Sequence, residues 1–370
     1  MGFGARAMED VVTQDWRGVR VFLTGHTGFK GGWLALWLAN KGAVVRGYSL
    51  DPNDAETTPA LFHATRVFES VDDVRGNILD RDALLKAMRE FRPQVVFHLA
   101  AQALVRLSYA DPLGTYATNV MGTANVLEAI RSVDSVRAVV VVTSDKCYEN
   151  REWHWGYRES DPLGGYDPYS SSKACAEIVS AAYRNSFFNS SNGRQTLLAT
   201  VRSGNVIGGG DWSQDRLIPD LARGFLATEQ VLIRRPGSVR PWQHVLEPIA
   251  GYMTLGLRLL VGESALATAW NFGPWDDDAW PVERIADAMA QRWGEDASWT
   301  VDGAPSVHEA GYLKLDAGKA RAELGWHPQL RLNSALEWIV DWYRAWQNGA
   351  DMRAFTLQQI ANYERLVADR

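Results

Sequence analysis

Two cysteines, Cys147 and Cys175, are all that 370 residues carry. No ligand cluster accompanies either one, so neither a disulfide framework nor a metal site is expected, and the thiols suit a reducing, cytoplasmic setting. Long apolar runs are missing too: the longest hydrophobic helical stretch falls well short of the ~20 residues that a bilayer demands. There is no basic excess, since 38 Lys and Arg stand against 44 Asp and Glu for a net charge of −6. The cations are scattered, which excludes a nucleic-acid interface as the first reading. Residues 1–19 carry Arg6, Glu9, Asp10, Asp15 and Arg17 with no sustained apolar segment, so they read as a loose extension and not as a signal peptide or anchor. Internal repeats and low-complexity tracts are also lacking.

What is present is an ordinary globular composition, 46% hydrophobic, enough to bury a large core in two packed lobes. The chain is organised around residues 21–39. A short β-rich run ends at Thr24, Gly25, Gly28 and Gly31 follow at G-x-x-G-x-x-G spacing, and Trp33, Leu34, Leu36, Trp37 and Leu38 supply the apolar side of a helix. Strand, glycine turn and helix in that order predict a dinucleotide whose pyrophosphate meets backbone N–H groups at the helix N-terminus.

Further strands are expected over 43–50, 71–74, 94–101, 136–142 and 196–201, separated by helices over 82–91, 113–131 and from about 169, which together make a Rossmann-type, doubly wound α/β fold. The valine-dominated run 136–142 suits a central strand covered on both faces. Asp51, 26 positions after Gly25, is placed either to accept from ribose hydroxyls or to serve the turn that Pro52, Asn53 and Asp54 begin. Residues 20–203 are assigned to the dinucleotide-binding domain, with 245–262 packing back on it. Residues 204–244 and 263–350 are assigned to a smaller C-terminal substrate lobe, and 351–370 to a final helix.

Tyr169 and Lys173 stand four residues apart on one helix face. There Lys173 is expected to stabilise the phenolate and lower the Tyr169 pKa, poising it to remove a hydroxyl proton while hydride leaves the same carbon. Ser144, Asp145 and Lys146 close the central strand, where a doubly wound sheet meets its ligand. The sixteen tryptophans are read as packing residues, and His26 and His98 as satisfied loop and strand-end residues.

Together these residues resemble the extended branch of the short-chain dehydrogenases/reductases that acts on nucleotide sugars, from about Val21 to Trp346. More narrowly, Gly25-His26-Thr27-Gly28-Phe29-Lys30-Gly31, Thr143-Ser144-Asp145-Lys146-Cys147-Tyr148-Glu149-Asn150, Gly204-Asn205-Val206-Ile207-Gly208-Gly209-Gly210-Asp211-Trp212 and Arg240-Pro241-Trp242-Gln243-His244-Val245 resemble the CDP-glucose 4,6-dehydratase family. The resemblance implies NAD that is not consumed and CDP-D-glucose as substrate. NAD would be held by Gly25, Gly28, Phe29, Lys30, Gly31, Asp51, Asn77, Ile78, Leu99, Ala100, Ala101, Asn119, Tyr169 and Lys173. Tyr169 would take the carbon-4 hydroxyl proton with Ser144 bonding to that oxygen, Lys146 would act as base at carbon 5, and Asp145 as acid at the carbon-6 hydroxyl. Asn205, Arg216 and Arg240 would meet the diphosphate, and Arg106 the sugar. A homodimer through the helices near 113–131 and 169–189, and a place in deoxysugar biosynthesis of the kind that feeds lipopolysaccharide O-antigen, belong to the same implication. Related dTDP-glucose dehydratases carry Thr-Asp-Glu where this chain has Ser144-Asp145-Lys146, so an amine replaces a carboxylate at the base position.

Overall fold

A computed structural model describes residues 16–52, 60–188, 196–294, 296–303 and 310–369. The expected N-terminal extension lies mostly outside them, as do Asn53 and Asp54. Twelve strands are described: β1 (Arg20–Thr24), β2 (Val44–Ser49), β3 (Asp72–Arg75), β4 (Val95–His98), β5 (Ala138–Val142), β6 (Leu197–Ser203), β7 (Asn205–Ile207), β8 (Val231–Ile233), β9 (Val239–His244), β10 (Ala269–Phe272), β11 (Ala279–Pro281) and β12 (Trp299–Val301). Seven of them form one parallel sheet in the order β10-β6-β5-β4-β1-β2-β3. The chain reverses its direction of winding between β1 and β4, which opens a crevice at their carboxyl ends. The seventh strand, β10, comes from the part of the chain assigned by sequence to the second lobe.

The period-two alternation of strand side chains divides the core. Val21, Leu23, Val95, Phe97, Ala138, Val140 and Val142 face one hydrophobic cluster, while Phe22, Val96, Val139 and Val141 face another. The first cluster is roofed by the helices Phe29–Asn40 and Leu246–Leu260, the latter lying on β5 and β6. Arg81–Phe91 and Gly122–Arg131 cover the second. Tryptophan fills the larger core as expected: Trp33, Trp37, Trp270, Trp326 and Trp342 are fully buried. Their indole N–H groups find partners, Trp33 on Gly209 O at 3.1 Å and Trp326 on Glu247 O at 3.0 Å among them.

Beyond β6 the chain builds a smaller layer from β11-β9-β7 and β12-β8 with the helices Leu217–Leu226 and Val282–Trp293. The predicted helix over 113–131 runs from Pro112 with a π turn at Ala117–Met121 and is preceded by a short helix, Val105–Ala110. No helix among the described residues is long and apolar enough to cross a membrane.

Candidate active site

Two of the three glycines of the turn are required by the backbone itself. Gly25 has φ +80° and lies so close to β4's end that a Cβ would meet Ala100 N at 2.7 Å, and a Cβ on Gly31 would meet Gly25 O at 2.0 Å. Gly28 is under neither constraint: its φ is −80° and a Cβ would find only Gly25 O at 3.5 Å. The space beside Gly28 is therefore spared for something outside the chain. It caps the Phe29–Asn40 helix with no side-chain cap and no acid in the first turn, so the positive end of the helix is presented to the crevice. These residues fit a pyrophosphate, and hence a dinucleotide.

They line a cleft of about 1130 Å³ together with Phe29, Lys30, Asn77, Ile78, Leu99, Ala100, Ala101, Arg106, Ser144, Asp145, Lys146, Tyr169, Lys173, Asn205, Arg216 and Arg240. Every site residue expected from sequence except Asp51 and Asn119 is thus brought to one cavity. Asp51 lies just past β2 with its side chain 89% exposed and paired to Arg75 at 3.7 Å, while Ser49 and Leu50 form the wall at that place. Asn119 is buried behind the wall. Its amide accepts from Gln102 N–H and donates to Gln102 O and Ser172 Oγ, all at 2.9 Å, tying the loop after β4 to the Tyr169 helix.

Tyr169 and Lys173 sit in the first turns of the helix Pro168–Ser186. Its start is fixed by Pro168 and by Asp167, whose carboxylate accepts from Ser170 N–H at 2.9 Å and Ser170 Oγ at 2.6 Å. Ser144 ends β5 as the cap of a 3₁₀ turn, Asp145–Cys147, accepting from Lys146 N–H at 3.2 Å and donating to Asp145 Oδ1 at 3.0 Å. Lys146 Nζ lies 6.0 Å from the centre of the Tyr169 ring.

Burial governs the charges. It raises the Asp145 carboxyl above the ordinary range, against the opposing pull of Lys146, the Ser144 hydrogen bond and Arg240. Asp145 Oδ2 is buried with no hydrogen-bond partner. Burial lowers Lys173 to about 8 and, with Arg216 and Lys173 adding repulsion, Lys30 to about 7. The expected lowering of Tyr169 is not found. Burial raises Tyr169 to about 12, with Ser144 and Arg216 opposing, and Lys173 donates instead to Val142 O at 3.3 Å. Neither the desolvation nor this carbonyl is visible in a Tyr-x-x-x-Lys spacing.

Sequence reasoning missed the layer beneath. Glu177 is buried one helical turn beyond Lys173. It accepts from Thr143 Oγ1, from Thr200 Oγ1 at 2.7 Å and from Arg202 Nη2 at 2.8 Å, and Arg202 also donates to Tyr148 OH at 2.8 Å. In spite of burial, Arg202 and these hydrogen bonds hold the Glu177 carboxyl low. The four-residue spacing of Glu177 from Lys173 was the available signal.

A dinucleotide cradle at the switch point, a Tyr-Lys pair and a second acid-base group at the next strand end define an extended short-chain dehydrogenase/reductase, and the comparisons agree. The model of the GDP-mannose 4,6 dehydratase family matches residues 22–195. The chain is 55% identical over 350 residues to the CDP-glucose 4,6-dehydratase of Salmonella typhimurium, covering 94% of this chain and 97% of that one. Among solved structures, an epimerase from Methanothermobacter thermautotrophicus superposes with a TM-score of 0.78 at 23% identity, over 92% of this chain and 96% of the other. The UDP-glucose 4-epimerase of Thermus thermophilus in complex with NAD superposes with a TM-score of 0.74 at 25% identity, over 88% and 99%. The chain belongs to the CDP-glucose 4,6-dehydratase family.

Proposed function

We propose that the chain is a cytoplasmic, NAD-dependent CDP-D-glucose 4,6-dehydratase that converts CDP-D-glucose to CDP-4-keto-6-deoxy-D-glucose and water and acts as a homodimer. One observation carries the reading: beside the Tyr-Lys pair stands a buried carboxyl, Asp145, whose Oδ2 has no hydrogen-bond partner and whose pKa is raised by burial. Oxidation of an alcohol needs a base alone, and epimerisation at carbon 4 needs no acid for departing water. Elimination needs both an acid and a base.

NAD, when bound, would supply the hydride acceptor for carbon 4 and the hydride donor for carbon 6. Tyr169 takes the proton of the carbon-4 hydroxyl as its phenolate, a form that burial disfavours and that the positive charge of oxidised NAD would favour, while Ser144 hydrogen-bonds to that oxygen. The carbon-4 ketone makes the carbon-5 proton acidic, and Lys146 removes it as Asp145 delivers its own proton to the carbon-6 hydroxyl, which leaves as water. Lys146 then returns its proton to carbon 5, and exchange with solvent releases the proton Tyr169 took and replaces the one Asp145 gave up. Lys173 holds the Tyr169 end of the dinucleotide, and Gly25, Gly28, Phe29, Lys30 and Gly31 hold its pyrophosphate. Asn205, Arg216 and Arg240 bind the substrate diphosphate, for which a planar guanidinium is suited, with Arg106 beside them. The product would serve deoxysugar supply, of which lipopolysaccharide O-antigen is one use.

Purified protein is incubated with CDP-, dTDP-, GDP- and UDP-linked hexoses, first without and then with added NAD. Product mass and ultraviolet absorbance in alkali are then read. The expected result is loss of one water from CDP-glucose alone. Absence of any 4-keto product with NAD demonstrably bound overturns the reading.

A further inference from the structure

The turn that carries the acid and base proposed above is tied at both of its flanks to one buried ion pair. Asp145 and Lys146 lie on the 3₁₀ turn Asp145–Cys147. On the near flank, Thr143 Oγ1 donates to Glu177 Oε1. On the far flank, Tyr148 OH accepts from Arg202 Nη1 at 2.8 Å and donates to Asn271 Oδ1 of β10 at 2.7 Å. Glu177 belongs to the helix Pro168–Ser186 and Arg202 to β6. They join each other, Nη2 to Oε2, at 2.8 Å, with side chains 3% and 4% exposed.

Stability alone does not call for charges here, since a buried pair is often no more stabilising than apolar residues of the same volume. What the pair supplies is direction. Glu177 accepts at both oxygens, from Thr143 on one and from Thr200 Oγ1 and Arg202 on the other. Arg202 divides its planar fork between Glu177 and Tyr148, with Glu159 O at 3.2 Å beside them. Glu177 also stands one helical turn beyond Lys173, which donates to Val142 O at 3.3 Å. Two successive residues at the end of β5 are therefore held from the helix that carries Tyr169.

We propose that Glu177 and Arg202 are positioning residues that set Asp145 and Lys146 against the substrate held at Tyr169, and so govern elimination more than the oxidation before it. This rests on the dehydratase reading. Oxidation uses Tyr169 and Lys173, which ride on the helix itself. Elimination uses groups on the turn, whose place relative to that helix passes through Thr143 and Tyr148. A displacement of reacting groups by about 1 Å costs on the order of 10²-fold in rate, so a loosened turn slows the second half-reaction while the first still runs. Substrate is then oxidised faster than water is lost, and reduced nicotinamide accumulates.

The test follows CDP-glucose turnover by the full chain saturated with NAD, in wild type, Thr143→Val, Thr143→Ser and Tyr148→Phe. Loss of water is read by product mass, and reduced nicotinamide by its near-ultraviolet absorbance during turnover. No variant strands the ion pair. Thr143→Val keeps the backbone N–H bond to Val201 O at 2.9 Å and leaves Glu177 with Thr200 and Arg202, while Tyr148→Phe leaves Arg202 with Glu177 and Glu159 O. Thr143→Val and Tyr148→Phe are each expected to lower kcat about tenfold or more, with KM little changed and with reduced nicotinamide accumulating beyond the wild-type level. Thr143→Ser, which keeps the hydroxyl, should restore both readouts. A kcat within about twofold of wild type in Thr143→Val or Tyr148→Phe, or a loss of kcat with no accumulation of reduced nicotinamide, makes the pair a support of the fold alone and leaves the dehydratase reading intact. A wild type that removes no water from CDP-glucose overturns that reading and this inference together.

Discussion

Asp145 stores a conflict that is useful to chemistry and costly to the fold. Its carboxyl is raised by burial, so the native chain binds that proton more tightly than the unfolded chain, whose Asp titrates near 4. The stability that Asp145 contributes is present below pH ~4 and declines as pH rises through the elevated native value. As an acid it works only while protonated, so kcat should fall on the alkaline side across the same range. Asp145→Asn keeps the shape without the charge: turnover is expected to drop about 10²–10⁴-fold while the melting temperature at pH 8 rises, both measured on NAD-loaded protein. A melting temperature that falls at pH 8 and rises at pH 4 would reverse the sign of the shift. Lys146→Met should stop loss of water from CDP-glucose and leave NAD affinity within about threefold of wild type, since no glycine-turn contact changes. Turnover that survives this replacement removes Lys146 from the mechanism. These roles rest on residues that were legible because Ser144-Asp145-Lys146 and Tyr169-x-x-x-Lys173 are short local strings. The Lys173 bond to Val142 O and the Glu177–Arg202 pair were not, because they depend on which strand the helix covers.

At the level of elements, the glycine turn separates packing from binding. Gly31→Ala puts a methyl 2.0 Å from Gly25 O, inside a backbone contact that cannot yield, and should destabilise the domain by about 1–3 kcal/mol or more. Gly28→Ala meets nothing closer than 3.5 Å, so thermal unfolding should be nearly unchanged while NAD affinity falls at least tenfold, because the added methyl occupies space beside the helix N-terminus. Equal loss of stability in both variants, read by calorimetry with and without NAD, would contradict that division. The elements themselves were visible wherever an apolar run met a turn residue: β1, β2, β5 and the helix after Gly28 all follow that rule. β9 was not, because its residues from Arg240 to His244 are all buried and include Arg240, Gln243 and His244, so no hydrophobic alternation marks it. Asp51 shows the limit of spacing arguments, since two residues past β2 its carboxylate turns to Arg75 instead of into the cleft wall.

The whole molecule raises a question that no strand order answers: what covers the helices flanking the cleft. The cleft itself unites residues from 25 to 313, a proximity that the fold creates and that family-like strings signalled without geometry. Outside it, Leu113 is 80% exposed, and Met121 and Ile178 each 57%. Leu113 and Ile178 lie on two helices that touch. Tyr116 OH meets Ser171 Oγ at 2.7 Å where the two helices touch, Leu113 lies one turn before Tyr116, and Ile178 lies two turns beyond Ser171 on the same helix face. Large aliphatic side chains on adjacent helices, exposed together, mark a surface that association would bury, and a twofold axis across it would pair the same two helices of each copy into a four-helix contact. Charge there should break the contact without touching the cleft. If the homodimer proposed above forms through this face, Leu113→Glu with Ile178→Glu is expected to leave the 41.2 kDa monomer as the sedimenting species. NAD binding should persist, because neither residue lines the cleft. A dimer that survives both charges moves the twofold axis to another face.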